Sequence, residues 1–279
     1  MSRTGELSIE EAAHALGVHY MTVYRYIRLG RLPAEQRDGR WHIRTEDLNR
    51  LRQGGRAGDR PAGPPSGQEQ VNRRLLERLV AGDDNGAWSI VEAALLTGSP
   101  ASLYTDVLGP TLRTLGDGWA SGRFSVADEH RATTLAMGIV GRLGPLFRRR
   151  GRRRPGQVLL AGIEGDSHVI PLTMVADLLR AGGYEVVHLG ADVPVSTLVP
   201  FAAASRRLRA VGLSASTDAS AGRSARAVAA LRERLPGVPI MLGGPAVRSE
   251  AAARSLGADG WAADGTGAVE LVNRLAGAR

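Results

Sequence analysis

A regular alternation of strand and helix patterns, which runs from Gln157 onward, constrains the fold more than any other feature of the sequence. Five short apolar runs alternate with stretches that carry apolar residues at helical spacing. Such alternation is typical of a parallel sheet with helices on both faces. We therefore predict an α/β domain over residues 155–279, with strand order 2-1-3-4-5 and a ligand site at the switch point. The predicted strands are Val158–Ile163, Glu185–Leu189, Ala210–Ser214, Ile240–Leu242 and Gly260–Ala263.

Polar residues follow the first of these strands, at the edge where a parallel sheet binds its ligands. His168 lies there, two residues after Asp166. Imidazole is a good transition-metal ligand, and a carboxylate on its other ring nitrogen fixes its tautomer and raises its basicity. This spacing makes His168 a candidate metal ligand and Asp166 its orienting partner. The alternative is an ordinary α/β domain whose loop histidine has no ligand.

Two more short motifs follow the third and fourth strands, Ser214-Ala215-Ser216 and Gly243-Gly244. Together with Asp166-Ser167-His168 they resemble the cobalamin-binding domains, which carry D-x-H-x-x-G, S-x-L and G-G at these places. The resemblance implies a flavodoxin-like (Rossmann-type) cobalamin-binding domain. In it, His168 replaces the cofactor's benzimidazole as lower cobalt ligand, and the serine and glycine motifs line the slot for the displaced tail. Two positions depart from the pattern, because Pro171 replaces the last glycine and Ser216 the leucine.

A nucleotide-binding receiver is the main rival for this domain. The stretch Gly243-Gly244-Pro245 places bare backbone before a helix, which also suits a phosphate. Against that rival, no G-x-G-x-x-G follows the first strand, and the chain has no lysine for a phosphate-binding loop.

Residues 1–52 predict a helix, a turn, a second helix and a hairpin. Ser8 and Glu11 would form a capping box on the first helix, and Asp38-Gly39 would form the hairpin turn. This layout resembles the excisionase and MerR-like winged helix-turn-helix domains, which implies binding to operator DNA. A small protein-interaction domain is the alternative. The candidate DNA contacts are Thr22, Tyr24, Arg25 and Arg28 on the second helix and Arg37 and Arg40 on the wing.

The middle of the chain predicts a linker and then helices. Residues 53–68 are rich in glycine, proline and charge, which predicts a flexible linker. Short connections between the four helical patterns of residues 69–150 predict an antiparallel four-helix bundle. Ser125 is the predicted N-cap of the last helix. The predicted helices are Glu69–Ala81, Ala87–Leu96, Pro100–Trp119, with a bend at Gly109-Pro110, and Val126–Arg149.

Four residues at the junction of the last two helices form a recognisable set: Trp119, Val126, Glu129 and His130. With the order of DNA head, bundle and cobalamin domain, they resemble the CarH/LitR type of light-sensing repressor. The resemblance implies that these residues cap the upper face of adenosylcobalamin. It also implies a repressor that is a homo-oligomer in the dark, as a tetramer, and that releases operator DNA when light cleaves the cobalt–carbon bond. The residue after the tryptophan, commonly histidine in that family, is Ala120.

This departure keeps a second interpretation open, a light-independent regulator that senses corrinoid supply. A corrinoid methyl carrier is a third, because a bundle followed by a cobalamin domain also occurs in methyltransferases. A regulator that has kept the fold and lost the cofactor is a fourth, motivated by Pro171. The first interpretation predicts a protein that is not an enzyme.

Composition is compatible with a cytoplasmic DNA-binding protein. The chain has no cysteine, which excludes disulfides and thiolate metal sites. It shows no apolar run of membrane length and no signal-peptide pattern. The net charge of +8 is compatible with a nucleic-acid partner, although an all-arginine bias also arises from a GC-rich coding sequence. The arginine cluster Arg148–Arg154 predicts solvated surface, with a second phosphate-binding patch as the alternative.

Overall fold

The computed structural model describes residues 5–16, 23, 26–27, 32–37, 40–54, 67–148 and 156–277. The chain divides into two compact units, and each is described by itself. The first unit comprises Met1–Ala87 and Pro110–Thr133, and the second comprises Trp88–Gly109 and Thr134–Arg279. Within the described ranges, no helix has the length and apolar character needed to cross a membrane.

The amino-terminal head is a small α/β arrangement. Its sheet has the order β1-β3-β2, and both pairs of neighbouring strands are antiparallel. The register of Arg37 opposite Arg40 closes the hairpin at the predicted place, although the turn residues themselves lie outside the described part. The elements are β1 (Glu6–Leu7), α1 (Ile9–Leu16), β2 (Glu35–Arg37), β3 (Arg40–Arg44) and α2 (Thr45–Gly54).

Local sequence signals determine how this head begins. The backbone N–H of Glu11 donates to Ser8 Oγ at 3.1 Å, and the N–H of Ser8 donates to Glu11 Oε2 at 2.8 Å. This reciprocal pair is the predicted capping box, and it satisfies N–H groups that a helix start leaves without partners. The apolar side of α1 packs into a small core. The other core residues come from the chain between α1 and β2, from β3 and from α2. That core contains Ala12, Ala13, Val23, Tyr26, Ile27, Leu32, Ile43 and Leu48.

Helical segments fill residues 67–147. The third predicted helix is helical throughout, from Pro100 to Ala120. Its middle is a π-helical segment, which ends directly before the predicted bend at Gly109-Pro110. The fourth ends earlier than predicted, because Pro145 lacks a backbone N–H and restricts the residue before it. The segments are α3 (Gly67–Ala81), α4 (Asp84–Thr97), α5 (Pro100–Ser102), the π segment (Leu103–Leu108), α6 (Gly109–Ala120), α7 (Val126–Leu143) and a 3-10 turn (Gly144–Phe147).

In the first unit, α3 packs against α6 and the start of α7. Thr111 Oγ1 donates to the carbonyl oxygen of Asn72 at 3.4 Å. The guanidinium of Arg131 donates to the carbonyl oxygen of Val80, in the last turn of α3. A cation at a helix C-terminus satisfies carbonyls that have no partner within the helix. Leu75, Leu76, Leu79, Leu115 and Ala132 are buried here.

The second unit contains a five-stranded parallel sheet with the order β5-β4-β6-β7-β8. Numbered within the domain this is 2-1-3-4-5, so the predicted doubly wound fold is confirmed. Its strands are β4 (Gln157–Gly162), β5 (Glu185–His188), β6 (Leu208–Ser214), β7 (Ile240–Gly243) and β8 (Gly260–Ala262). Its helices are α8 (Ile170–Ala181), α9 (Val195–Ala204), α10 (Asp218–Arg234), α11 (Glu250–Ser255) and α12 (Gly265–Gly277).

Each face of this sheet has its own apolar core, as expected for strands buried on both sides. One face packs against α9, α10 and α11 through residues such as Leu198, Leu231 and Ala253. The other packs against α8 and α12 through residues such as Leu179 and Val272. The strands are therefore held rigidly, and the loops at their carboxyl ends have fixed anchor points.

Candidate functional site

The carboxyl edge of the sheet has a row of small residues in register. Gly162 lies opposite Ser214, and Ser214 lies opposite Gly243. Gly244 has a φ of +93°, and a Cβ built there would lie 2.3 Å from the carbonyl oxygen of Ala215. Only glycine combines this backbone conformation with this close approach. The sheet edge therefore presents backbone and one hydroxyl rather than bulky side chains.

Asp166 is the buried centre of the loop that follows β4, with a side chain 1% exposed. Its Oδ1 accepts from the backbone N–H of His168 at 3.1 Å and lies 2.7 Å from Nδ1 of the same residue. Its Oδ2 accepts from the backbone N–H of Ser216 and from Ser220 Oγ at 3.1 Å. Four contacts thus satisfy both carboxylate oxygens, as a buried charge requires.

These contacts decide the charge state of Asp166. Burial opposes ionisation, but the hydrogen bonds from His168 and Ser216 outweigh it and hold the pKa of Asp166 below its usual value. The carboxylate is therefore ionised at neutral pH, which favours a proton on Nδ1 of His168.

His168 is placed differently from its partner, because its side chain is 51% exposed. The Asp166 contact at Nδ1 fixes the ring orientation and makes Nε2 the atom suited to a metal. The pairing predicted from the D-x-H spacing is therefore present in the structure. This arrangement of buried carboxylate and exposed imidazole is suited to axial ligation of a metal that approaches the sheet edge.

The loop that carries this pair is held from two sides. The backbone N–H of Gly165 donates to Asp192 Oδ1 at 2.5 Å, and the N–H of Asp192 donates to the carbonyl oxygen of Asp166 at 2.8 Å. Arg223 Nη1 donates to the carbonyl oxygen of Glu164 at 3.0 Å. No sequence spacing indicates these contacts, because they join residues distant in the chain.

Ser220 is the site residue that the sequence analysis missed most clearly. It is fully buried, and as the third residue of α10 it forms a reciprocal capping box with Thr217. The T-x-x-S spacing could have indicated the cap, but not the second contact to Asp166. Ser220 therefore connects the helix start after β6 to the loop after β4.

Replacing Ser220 by alanine is expected to lower the free energy of unfolding by about 1–3 kcal/mol, because Asp166 Oδ2 loses a buried donor. Cobalamin affinity should fall with it. Ser224→Ala is the matched control, since Ser224 is equally buried and donates one turn along α10 to the Ser220 carbonyl oxygen at 3.1 Å. Urea unfolding and a cobalamin titration would measure both effects. Equal losses of affinity in the two variants would contradict a specific role for Ser220.

His188 is a structural residue within β5. Its Nδ1 accepts from the backbone N–H of Gly190 at 3.0 Å, and its Nε2 lies 3.4 Å from Thr173 Oγ1. Burial lowers the pKa of His188, with a further contribution from Arg180, so the ring is neutral at pH 7. These interactions hold the turn after β5.

The residues predicted to cap a cofactor lie in the first unit. Trp119 is half-buried in the last turn of α6, and Val126 is 53% exposed at the start of α7. Ser125 caps α7, because its Oγ accepts from the N–H of Asp128 at 3.1 Å, as predicted. In the next turn, Glu129 Oε2 lies 2.7 Å from His130 Nδ1.

The predicted DNA contacts fall mostly outside the described residues, namely Thr22, Tyr24, Arg25 and Arg28. Arg37 is described, and its guanidinium pairs with Glu35 and with Glu6. Those interactions raise the pKa of Arg37, the Glu35 hydrogen bond most, so its charge is permanent. Arg40 lies on β3 directly opposite Arg37. The structure thus places two basic residues at one end of the hairpin.

Three family models match the chain. A B12 binding domain matches residues 156–273, a second B12 binding domain matches residues 71–143, and a helix-turn-helix domain matches residues 6–56. The HTH-type transcriptional repressor CarH of Myxococcus xanthus is 31% identical over 202 residues, which cover 71% of this chain and 64% of that protein. Together these matches fit a CarH-type regulator. The corrinoid-protein fold and the helix-turn-helix head of the sequence prediction are thereby confirmed.

Other proteins similar to this chain are named for different functions. Methionine synthase of Mycobacterium tuberculosis is 25% identical over 191 residues, which cover 64% of this chain but only 16% of that enzyme. The trimethylamine corrinoid protein of Methanosarcina barkeri is 27% identical over 135 residues, 47% of this chain and 62% of that protein. The first relatives thus extend well beyond the matched part.

Among solved structures, the monomethylamine corrinoid protein of Methanosarcina barkeri has a TM-score of 0.63 at 23% identity. The likeness covers 74% of this chain and 99% of that one. At this identity the similarity establishes the fold alone. This fold agrees with the matches to the two B12 binding domains.

Proposed function

We propose that this protein is a transcription regulator that binds adenosylcobalamin as its sensor and DNA through its amino-terminal head. The observation that carries the proposal is the contact between Asp166 and His168 at the carboxyl edge of the parallel sheet. This sheet lies within the residues that match a B12 binding domain. The helix-turn-helix match and the CarH relative support the regulatory part. The chain would then be a repressor rather than an enzyme.

The residues at the sheet edge fit a cobalamin bound from its lower face. His168 would supply the axial ligand through Nε2, and Asp166 would keep the ring in the required tautomer. Ser214, Ser216, Gly243 and Gly244 would line the slot for the nucleotide tail. The row of glycines gives that tail access to bare backbone, because no side chain projects from those positions.

Pro171 does not disrupt the site's backbone. It is exposed and lies in the first turn of α8, where a proline costs no helical hydrogen bond. The neighbouring N–H of Thr173 still donates to the carbonyl oxygen of Val169 at 2.9 Å. This departure from the family pattern therefore argues less strongly for a lost cofactor than the sequence alone suggested.

We assign the upper face to Trp119, Val126, Glu129 and His130. When bound, adenosylcobalamin would supply a cobalt–carbon bond that light can cleave. Trp119 and Val126 offer apolar surface to an adenosyl group, and Glu129 offers a carboxylate oriented by Thr133 Oγ1 at 2.6 Å. Ala120 carries no ligand atom, so water or His130 would occupy the upper position in the light state.

The regulatory consequence would be a change of oligomer and of DNA affinity. In the dark, the proposed protein is a homo-oligomer, a tetramer by family resemblance, that binds operator DNA with Thr22, Tyr24, Arg25 and Arg28 and with the hairpin arginines. A change in the bound cofactor that the cap residues detect would shift a two-state equilibrium toward the form that releases DNA.

A light-independent sensor of corrinoid supply is the second candidate, and Ala120 is the observation that favours it. DNA binding would then follow the presence of the cofactor and ignore illumination. A methyl carrier is a weaker third candidate, supported by the methionine synthase and trimethylamine corrinoid relatives.

The deciding experiment measures the absorption spectrum of the full-length protein with adenosylcobalamin after desalting, in the dark and after green light. Photosensing predicts a retained spectrum that converts on illumination, with a parallel loss of affinity for DNA. A retained spectrum with DNA binding that ignores light would support the supply sensor. Complete loss of cofactor on desalting would contradict both.

Replacing His168 by alanine is expected to reduce cobalamin affinity by about tenfold or more, because the axial ligand is lost. His14→Ala is the matched control, since His14 is exposed on α1 of the head. Titration followed by absorbance would measure both variants. Unchanged affinity and an unchanged spectrum in the His168 variant would exclude His168 as the ligand.

A further inference from the structure

An arginine patch lies at the amino edge of the parallel sheet. Arg206 and Arg207 are exposed in the connection between α9 and β6, and Arg209 follows within β6. The backbone of this connection is tied to the first strand, because the N–H of Gln157 donates to the carbonyl oxygen of Arg207 at 2.9 Å. We define the basic edge as Arg206 and Arg207.

The basic edge lies against Gly156, the residue that precedes β4. A Cβ built on Gly156 would lie 2.4 Å from Arg209 Cγ and 2.8 Å from the Arg207 carbonyl oxygen. Gly156 directly follows the stretch R-R-R-G-R-R-R-P of residues 148–155.

The charges of the basic edge are not neutralised locally. Within the described part of the chain, neither Arg206 nor Arg207 forms an ion pair, whereas Arg180, Arg232 and Arg254 each pair with a carboxylate. Glu185 is an acidic residue at the same edge, and it accepts from the neutral amide of Gln157 at 2.7 Å. The basic edge therefore presents the unpaired guanidinium groups of Arg206 and Arg207 to solvent.

Arg207 also has an unusual backbone. Its φ is +63°, in the left-handed region that favours glycine and asparagine over arginine. Arginine is thus not the residue that this conformation favours, and an outlier of this kind motivates a search for a function. Nor does the cofactor explain the charge, because the six residues of β4 separate this edge from His168 by roughly 20 Å.

We propose that the basic edge contacts the phosphate backbone of DNA, as a second and sequence-independent contact surface beside the helix-turn-helix head. Guanidinium groups bind phosphate oxygens through charge-assisted hydrogen bonds, and each neutralised phosphate releases condensed counterions. The inference rests on the proposed DNA-binding function, which supplies the partner. It adds affinity without adding sequence information.

The test compares the salt dependence of DNA binding by full-length proteins. A fluorescein-labelled duplex of arbitrary sequence is titrated by anisotropy in the dark, with adenosylcobalamin present, at salt concentrations from about 50 to 200 mM. The variant combines Arg206→Gln with Arg207→Asn, because asparagine tolerates a positive φ. The matched control combines Arg226→Gln with Arg248→Gln, two exposed arginines elsewhere in the domain that remove the same charge.

The plot of log affinity against log salt has a negative slope, and the basic-edge variant should reduce the magnitude of that slope by about 2. Its affinity at the lowest salt concentration should be weaker by about tenfold or more. The control should leave the slope within about 0.5 of the original. Retained cofactor absorbance and an unchanged thermal midpoint would show that both variants are folded. Arg206→Gln with Arg207→Gly, which removes the backbone cost, should reproduce the result.

Four outcomes would overturn the inference. Equal slopes for the original and the basic-edge variant would exclude a phosphate contact while leaving the proposed function intact. If the variant and the control reduce the slope equally, the effect would come from the change in net charge and not from this surface. Patch-dependent binding to anionic lipid vesicles with an unchanged DNA slope would assign the surface to another partner. A parent protein that binds no duplex even at the lowest salt would overturn the proposed function itself, and this inference with it.

Discussion

Replacing Asp166 by asparagine is expected to weaken cobalamin binding by about 10–100-fold, the usual effect of losing the residue that orients a metal ligand. Asparagine keeps the volume of the side chain but turns one acceptor oxygen into an NH2 group. That group would face either the two nitrogens of His168 or the donors Ser216 N and Ser220 Oγ. Two hydrogen-bond donors that face each other leave both buried groups without an acceptor. The free energy of unfolding should therefore also fall by about 1–3 kcal/mol.

The same substitution should change the pH dependence of stability. The pKa of Asp166 is lower in the folded protein than in the unfolded chain, so the ionised carboxylate contributes stability above about pH 4. That contribution is lost as the pH falls through the folded-state pKa. The asparagine variant has no such group, and its stability curve should be flatter in the acid range.

Asp218→Asn is the matched control, because Asp218 is exposed in the first turn of α10. Denaturant unfolding at several pH values and a cobalamin titration would compare the two. An Asp166 variant that binds cobalamin as tightly as the control, with the same acid-range curve, would contradict the orienting role.

Replacing Asp177 by alanine is expected to lower the free energy of unfolding by about 2–4 kcal/mol. Asp177 is buried on α8, where Oδ2 accepts from the Tyr104 hydroxyl at 2.9 Å and Oδ1 from Arg180 Nη1 at 2.8 Å. Burial and then the Asp177 charge raise the pKa of Tyr104 far above its ordinary value, so the hydroxyl remains a donor. Alanine would leave that donor buried without its acceptor.

The expected loss depends on Tyr104, which lies in the π-helical segment and stacks on Phe147 with ring centroids 4.6 Å apart. Arg180 contributes less, since its side chain is about one third exposed and screened by water. Tyr104→Phe removes one hydrogen bond and should cost less than the alanine variant. Asp106→Ala, an exposed carboxylate in the same segment, should change stability by less than about 0.5 kcal/mol. Urea unfolding of the three variants would test this order, and equal costs would contradict it.

Local patterns in the sequence predicted much of this structure. The helix starts at Ser8 and Ser125 and the strand order of the α/β domain follow from caps and periodicity, which involve neighbouring residues or whole segments. Asp166 and His168 are two residues apart, so their contact also has a local origin. Ser214 and Gly243 lie side by side in the structure, because the carboxyl ends of adjacent parallel strands meet at one edge.

What the sequence did not predict depends on partners far apart in the chain. Tyr104 and Asp177 are separated by 73 positions, and Ser220 and Asp166 by 54. No spacing rule connects such pairs. The π-helical segment is a similar case, because its sequence pattern is ordinarily helical and tertiary packing decides the outcome. The early end of α7 at Leu143 differs, because its cause, Pro145, is local in the sequence.

The central claim is that a histidine of this protein, His168, binds the cobalt of cobalamin. Electron paramagnetic resonance of the Co(II) form of cobalamin, bound to protein labelled with 15N only at histidine, tests it directly, because the axial nitrogen splits each cobalt line. An axial 15N of spin one half gives doublets, whereas the unlabelled benzimidazole of the cofactor gives triplets. Ligation of the cobalt by His168 predicts doublets that are lost in His168→Ala and kept in His14→Ala. Triplets in the labelled original protein would contradict it.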